Sequence, residues 1–154
     1  MNSRTRRWMG FAALIIGSTA CGGDNGTDPN GVPYVEVRYE WVGGFTGGTY
    51  RLDVWSDGRL MESGSAATSS ETGTASPQDL ERLRSIVHGS AFRRLAASYV
   101  PSQTCCDRRL YDVEVTRSGR TQRVETLDGV DNPKALADAL TELRRLQGLI
   151  PPGR

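Results

Sequence analysis

Histidine and lysine are nearly absent from this sequence, which contains a single residue of each, His88 and Lys134. Serine-protease-type triads need a well-placed histidine, and zinc sites commonly use more than one. The motifs HExxH, GxSxG and Walker A do not occur either. His88 lies where a helix is expected to end, and we interpret it as a side chain that offsets the helix dipole. We therefore expect no catalytic residues, no metal site and no cofactor, and we predict that the protein is not an enzyme.

A large excess of one charge sign is also missing. The chain has 19 Lys+Arg and 18 Asp+Glu residues, which gives a net charge of +1. Three arginines and no acidic residue fall within positions 1–20, so a chain that starts at Cys21 would carry 16 basic and 18 acidic side chains, a net charge of −2. Nucleic-acid-binding domains usually carry a strongly basic face. We expect no nucleic-acid partner.

The N-terminal segment contains no hydrophobic run long enough to form a membrane-spanning helix. Residues Trp8–Ala20 are uncharged and mostly apolar, but they number thirteen, whereas a spanning helix needs about 20. They follow a cationic start and end in small residues before Cys21, which is typical of a signal peptide. Residues 1–20 are therefore predicted to be a signal peptide. The segment resembles a bacterial lipoprotein signal, which implies that Cys21 is lipidated and anchors the protein in a membrane.

The residues around Cys21 leave two destinations open. Ser18 stands at position −3, where lipoprotein signals usually have leucine. Ordinary cleavage after Ala20, with release as a soluble periplasmic or secreted protein, is therefore the alternative. Gly22 replaces the aspartate that usually retains lipoproteins in the inner membrane. We expect a lipoprotein of the cell envelope, in the outer rather than the inner membrane.

Residues 21–33 are predicted to form a flexible tether. Glycine, asparagine, aspartate and proline dominate this segment and favour turns and open chain. About 12 residues of such chain reach roughly 20 Å. The polar side chains admit a calcium-binding alternative, although the spacing to the terminal glutamate of an EF-hand loop is missing. The side chains concerned are Asp24, Asn25, Asp28 and Asn30.

Alternating apolar and polar residues predict five strands within residues 34–150. In the first strand, residues 34–42, the two faces consist of Val35, Val37, Tyr39 and Trp41 on one side and Glu36, Arg38 and Glu40 on the other. The other strands are expected near residues 50–54, 59–62, 111–116 and 120–127, and Asp57-Gly58 is a preferred type I′ hairpin turn. Residues 63–75 are small and polar, and we expect a surface loop there.

Two amphipathic helices complete the predicted domain, residues 34–150. Ser76, Pro77 and Asp79 form a capping-box start for the first helix, which is expected to end at Gly89 and to be followed by a short helical piece. Pro133 starts the last helix, whose leucines at 136, 140, 143 and 146 make one apolar stripe. The order β-β-β-α-β-β-α predicts an α+β fold, with an antiparallel β-sheet and helices packed on one face.

The segment GGFTGG, residues 43–48, joins the first two strands and has two interpretations. Its four glycines suit a twisted hairpin end with positive φ angles. Alternatively, Phe45 is an apolar group on a flexible tip that fills a pocket of a partner protein. On the residues alone we favour the structural interpretation.

Cys105 and Cys106 are adjacent in the sequence, which is unusual. In an oxidising compartment such a pair closes a vicinal disulfide, bonds to other chains, or remains as thiols. If Cys21 is lipidated, these two are the remaining cysteines, and their even number is consistent with an internal disulfide.

Several short motifs follow one another along the predicted domain. They are Gly43-Gly44-Phe45-Thr46-Gly47, Asp57-Gly58, Leu80–Val87, Asp107 with Tyr111-Asp112-Val113, and Pro133–Leu146. This order resembles the emfourin family of protealysin inhibitors over about residues 35–148, essentially the whole domain. The sequence departs from the family at Thr46, where alanine is usual, in the Cys105-Cys106 pair and in the signal segment.

The resemblance implies a small α+β protein that inhibits thermolysin-like metalloproteases. Inhibition by occlusion requires a projecting element, and we expect Gly44, Phe45 and Thr46 to provide it as partner-binding residues. We also expect a monomer. The alternative function is a cell-envelope lipoprotein that acts as a binding or structural module without a protease target.

Overall fold

A computed structural model describes residues 28, 30–45, 47–65, 71–103 and 107–151 of the chain. Its strands are β1 (Val35–Gly43), β2 (Gly48–Trp55), β3 (Arg59–Ser63), β4 (Glu71–Thr74), β5 (Arg109–Arg117) and β6 (Arg120–Leu127). Its helices are α1 (Pro77–Val87), α2 (Ser90–Arg93) and α3 (Lys134–Gln147).

All six strands belong to one antiparallel sheet, in the order β4-β3-β2-β1-β5-β6. The first hairpin makes β1 and β2 neighbours, and the second hairpin, β5 and β6, adds to the other side of β1. The predicted α+β class with an antiparallel sheet is confirmed. The predicted order β-β-β-α-β-β-α lacks two elements of the structure. One is β4, which was not predicted, and the other is α2, which is the short helical piece expected after the first helix.

Strand β4 occupies part of the segment 63–75 that the sequence predicts as a surface loop. Its sequence, ETGT, has no apolar alternation, so its position depends on backbone pairing with β3 and on the chain after α3. A Cβ atom on Gly73 would lie 3.1 Å from Ile150 Cγ1. Glycine thus lets the buried Ile150 pack directly against the strand backbone. Residues 66–70 lie outside the described residues.

The alternation predicted for β1 is wrong at Glu36. The pairing with β2 shifts by one residue between Val35 and Val37, which is a β-bulge. The bulge changes the direction of the Glu36 side chain, which leaves the polar face and is only 2% exposed. Arg38 and Glu40 remain on the polar face, where they pair with charged residues of neighbouring strands.

The helix signals in the sequence are confirmed. The Ser76 hydroxyl accepts a hydrogen bond from the Asp79 N–H (3.2 Å), and the Asp79 carboxylate accepts one from the Ser76 N–H (3.2 Å). Pro77 lies in the first turn of α1, and His88 is its C-cap. In α3, the predicted leucine stripe is buried.

The two faces of the sheet have different partners. The hydrophobic core combines one face of the sheet with α1, α2 and α3; its largest fully buried side chains include Tyr39, Phe92, Leu52, Leu83 and Leu143. The opposite face, which we call the outer face, carries charged residues in four neighbouring strands. They are Arg51 and Asp53 on β2, Arg38 and Glu40 on β1, Asp112 and Glu114 on β5, and Arg123 and Glu125 on β6. Within the described part of the chain, no helix has the length and apolarity required to cross a bilayer.

Candidate functional site

The turn between β1 and β2 projects from the end of the sheet. Gly43, Gly44 and Gly47 all have positive φ angles, +99°, +79° and +62°, which side chains with a Cβ atom rarely adopt. Phe45 is 93% exposed, whereas a large aromatic side chain normally finds a packing partner in its own fold. The structure therefore places Gly44 and Phe45, two of the three predicted partner-binding residues, on a projecting tip. Thr46 lies outside the described residues.

The tip is anchored to the start of β5. The Gly44 N–H donates to the carbonyl oxygen of Arg108 at 3.4 Å. A Cβ atom on Gly43 would lie 2.9 Å from that same oxygen, and one on Gly44 would lie 3.3 Å from Arg109 Nε. Glycine is therefore required here for two reasons. The turn needs positive φ angles, and the backbone of the tip approaches the start of β5 too closely for a Cβ atom. The structural and functional interpretations of GGFTGG are compatible, since the geometry that bends the chain also presents Phe45.

A row of aromatic rings lies beside the tip, with an arginine at each end. The Arg109 guanidinium lies 4.4 Å from the Trp41 ring centroid, and that of Arg144 lies 5.2 Å from the Tyr111 ring. The ring centroids between them are 5.8 Å (Trp41–Tyr50), 6.2 Å (Tyr39–Tyr50) and 6.1 Å (Tyr39–Tyr111) apart. We call this set the aromatic row: Arg109, Trp41, Tyr50, Tyr39, Tyr111 and Arg144. It supports the tip with rigid side chains whose contacts are favourable by about 0.5–1.5 kcal/mol per ring pair.

Two tyrosines of the aromatic row, Tyr39 and Tyr50, are held in their neutral form. Burial, followed by the neighbouring Glu62 carboxylate, raises the pKa of Tyr50 well above its ordinary value. Burial also raises the pKa of Tyr39, although its hydrogen bond with Arg144 acts in the opposite direction. Both tyrosines are buried in the hydrophobic core, so they support the tip from inside the fold and are not a contact surface for a partner.

A second cluster links the sheet to α1. Arg84 Nε donates to Glu36 Oε1 at 2.9 Å, and Arg84 Nη2 donates to Glu36 Oε2 at 2.6 Å. His88 Nε2 lies 3.3 Å from Glu36 Oε1. Arg84 also donates to the carbonyl oxygen of Ser56 at 3.0 Å. The predicted position of His88 at a helix end is confirmed, but its contact with Glu36 was not predicted, because the bulge that turns Glu36 inward has no clear sequence signal.

The charged side chains of the outer face form ion pairs between strands, in which three arginines contact five carboxylates. Arg38 Nε lies 2.7 Å from Asp53 Oδ1, and its Nη1 lies 3.7 Å from Glu114 Oε2. The other pairs are Arg51 with Glu40, and Arg123 with both Asp112 and Glu125. Arg38 faces Asp53 on β2 and Glu114 on β5, and such cross-strand pairs of opposite charge stabilise a sheet. Asp112 instead faces two acidic residues, Glu40 and Glu125. Burial raises the pKa of Asp112, and its hydrogen bond with Arg123 opposes that shift.

Several predicted site residues lie outside the described residues. They are Cys21, the proposed lipidation site, and Cys105 and Cys106, the possible disulfide; the signal peptide lies there too. Two of the four residues in the calcium-binding alternative, Asp28 and Asn30, are among the described residues. The Asp28 carboxylate accepts hydrogen bonds from the N–H groups of Asn30 and Val32, both at 2.8 Å, which is a local turn.

Among the described residues, no group of three His, Cys, Asp or Glu side chains is placed to hold a metal ion. No protein-family model matches this chain, and no curated protein matches it.

Proposed function

We propose that the domain inhibits a thermolysin-like metalloprotease by occluding its cleft. The observation that carries the proposal is Phe45, which is 93% exposed on a tip anchored by Gly44 to β5. An inhibitor of this kind needs a rigid domain that presents a projecting apolar group, and here the backbone next to Phe45 is bonded to the chain at the start of β5. The emfourin resemblance of the sequence supplies the class of target.

The proposal assigns no catalytic residue to the domain. The exposed side chains described at the tip are the Phe45 ring and the Arg109 guanidinium. Such a surface favours binding over proton transfer. The protein is accordingly proposed to be a binding protein and not an enzyme, and to act as a monomer without a cofactor.

We further propose that the domain acts at the cell envelope. The sequence of the first 21 residues supports this proposal, because it has a cationic start, a short apolar core and a cysteine after Ala20. A lipid on Cys21 would hold the domain at a membrane surface, preferentially the outer membrane, with residues 21–33 as the tether. Cleavage without lipidation would release the same domain as a soluble exported protein.

An inhibition assay tests the proposal. The full chain, expressed with export and purified in detergent micelles, is added to a panel of thermolysin-like metalloproteases that includes thermolysin. We expect dose-dependent loss of peptide hydrolysis for at least one panel member. If the chain at micromolar concentration leaves the whole panel fully active, the inhibitor proposal is wrong and the function is that of a binding or structural module.

A further inference from the structure

Phe45 and the guanidinium of Arg109 belong to the same projecting surface. The side chain of Arg109 runs along Gly44, since a Cβ atom on Gly44 would lie 3.3 Å from Arg109 Nε and 3.4 Å from its Cγ. Phe45 is the next residue along the chain. On its other side, the Arg109 guanidinium lies over the Trp41 ring at 4.4 Å. Arg109 is thus fixed between the backbone of the tip and an aromatic ring.

The charge of Arg109 has no acidic partner among the described residues. Three other strand arginines have carboxylates within ion-pair distance: Arg38 contacts Asp53, Arg51 contacts Glu40, and Arg123 contacts Asp112. Arg117 of β5 has none among the described residues, but it donates to the Gln122 side chain at 2.6 Å. For Arg109, no described carboxylate lies within 4.0 Å, although its side chain is exposed and close to the tip.

The charged groups that face this end of the sheet do not form an ion pair with Arg109. The Asp128 N–H donates to the carbonyl oxygen of Arg109, and its carboxylate accepts a hydrogen bond from the Tyr111 hydroxyl at 3.5 Å. Arg144 lies over Tyr111, at the other end of the aromatic row. Asp107 is exposed two residues before Arg109 and lies outside ion-pair distance of it.

A guanidinium that is stacked on an aromatic ring is suited to binding a carboxylate. Stacking on an aromatic face leaves the N–H donors at the edge of the guanidinium plane free, and the planar fork matches a carboxylate in a two-point hydrogen bond. The contacts with Gly44 and Trp41 restrict the side chain before binding, so less rotamer entropy is lost when the pair forms.

We propose that Phe45 and Arg109 form a single binding element, which recognises a partner pocket that is apolar at its base and carries a carboxylate at its rim. Phe45 enters the pocket, and Arg109 binds the carboxylate. This inference rests on the proposed inhibitory function, since it places the pocket in the cleft of the metalloprotease.

The test compares two arginines that both lie over a tryptophan ring. Arg59 lies 4.3 Å from the Trp55 ring, at the opposite end of β2 from the tip. The full chain and its Arg109→Gln, Arg109→Lys and Arg59→Gln variants are compared by inhibition constant, using the panel member that the wild-type chain inhibits most strongly. Each measurement is made at about 50 mM and about 300 mM NaCl, because screening at the higher salt weakens pairs between exposed charges.

We expect Arg109→Gln to weaken inhibition by about tenfold at low salt, as is typical for loss of a charged hydrogen-bonded contact in an interface. Its inhibition constant should also depend less on salt than that of the wild type. The inhibition constant of Arg109→Lys should lie between those of the wild type and Arg109→Gln, because lysine keeps the charge but lacks the planar guanidinium. Arg59→Gln should inhibit like the wild type. Urea unfolding midpoints should agree among all four proteins, since both arginines are exposed.

Two results would overturn the inference and leave the proposed function in place. One is that Arg109→Gln inhibits as well as the wild type while Phe45→Ala is weakened. The other is that Arg109→Gln and Arg59→Gln are weakened equally, which would mean that overall charge matters and position does not. If the wild-type chain inhibits no panel member, the proposed function is wrong. The proposal that Arg109 binds a carboxylate of the protease is then wrong as well.

Discussion

Phe45 is the most exposed large apolar side chain among the described residues. Because it makes little contact with its own fold, its truncation should change binding without changing stability. We expect Phe45→Ala to weaken protease inhibition by roughly thirtyfold, equivalent to the 2 kcal/mol or more that is typical of a buried aromatic anchor. Inhibition constants and urea unfolding midpoints measured on the same preparations provide the test.

Met61 offers a matched control for Phe45. It is an apolar side chain on β3, 37% exposed and remote from the tip. Met61→Ala should leave inhibition unchanged. If Phe45→Ala inhibits as well as Met61→Ala, the contact with the protease lies elsewhere on the domain.

Glu36 is the opposite case, a charged side chain that the fold has buried. It is 2% exposed and is held by Arg84 from α1. Loss of one partner of a buried ion pair is strongly destabilising, and here the partial exposure of Arg84 reduces the cost. We expect Glu36→Gln to lower the free energy of unfolding by about 2–3 kcal/mol, measured by urea denaturation. The control is Glu40→Gln on the outer face, which should cost about 1 kcal/mol or less. Equal losses for the two variants would contradict the special role of Glu36.

At the level of secondary-structure elements, the first hairpin depends on glycine at two kinds of position. Gly43 has φ +99° and faces the Arg108 carbonyl oxygen, so a Cβ atom there is strained and also too close to backbone. Gly47 has φ +62° with open space around it. Gly43→Ala should therefore destabilise the protein by about 2–3 kcal/mol, and Gly47→Ala by about 1 kcal/mol.

Denaturant unfolding of the two alanine variants distinguishes these causes. A larger loss at Gly43 is expected, because its neighbour is backbone and cannot move away as a flexible side chain would. If both variants lose the same stability, the φ angle alone explains the effect and the anchoring of the tip on β5 contributes nothing.

The start of α1 should make part of the stability depend on pH. The Ser76 hydroxyl, followed by the backbone of Ser76 and by Arg145, lowers the pKa of Asp79. A carboxyl group whose pKa is lower in the folded protein stabilises the fold above its unfolded pKa, about 3.9. That contribution is lost as the pH falls through the folded pKa.

We therefore expect Asp79→Asn to reduce the urea midpoint at pH 7 and the difference from wild type to shrink toward zero at about pH 2. Asp138→Asn is the control, since Asp138 makes an exposed pair with Lys134 within α3. Its effect on the midpoint should be small at both pH values. A constant difference for Asp79→Asn across the pH range would show that its charge does not contribute.

At the scale of the whole molecule, the domain has a tip with an exposed apolar side chain and an outer face covered by ion pairs. On that face Arg38, Arg51 and Arg123 contact five carboxylates, so acidic side chains outnumber the arginines that pair with them. Arg109 and Phe45 lie together at the tip. Under the proposed function, residues 21–33 hold this domain at a membrane, so the proposal depends on how the N-terminus is processed.

Processing is testable on the mature protein. We predict cleavage after Ala20 and acylation of Cys21, because the apolar core of thirteen residues is followed directly by a cysteine. Mass spectrometry of the mature N-terminus should detect a lipid-modified cysteine, and Cys21→Ser should move the protein from the membrane to the soluble fraction. An unmodified Cys21 at the mature N-terminus would show that the protein is released and not anchored.

The sequence by itself determined the elements whose patterns are local. The alternation from Val37 to Trp41 predicts a strand because successive side chains of a strand point to opposite faces. Ser76 and Asp79 predict a helix start because their side chains satisfy N–H groups that have no partner within the helix. The glycines around Phe45 predict a sharp turn. For these elements the residues that produce the structure are neighbours in the chain.

The tertiary structure alone decided the features that depend on residues far apart in the chain. The bulge that buries Glu36 is compensated by Arg84, which lies 48 positions later. Strand β4 exists because β3 pairs with it and Ile150 packs against Gly73. Arg109 becomes part of the tip because β5 pairs with β1, which brings it beside Gly44 and Trp41. Such contacts leave no periodicity in the sequence, since their free energy arises only when the sheet has formed.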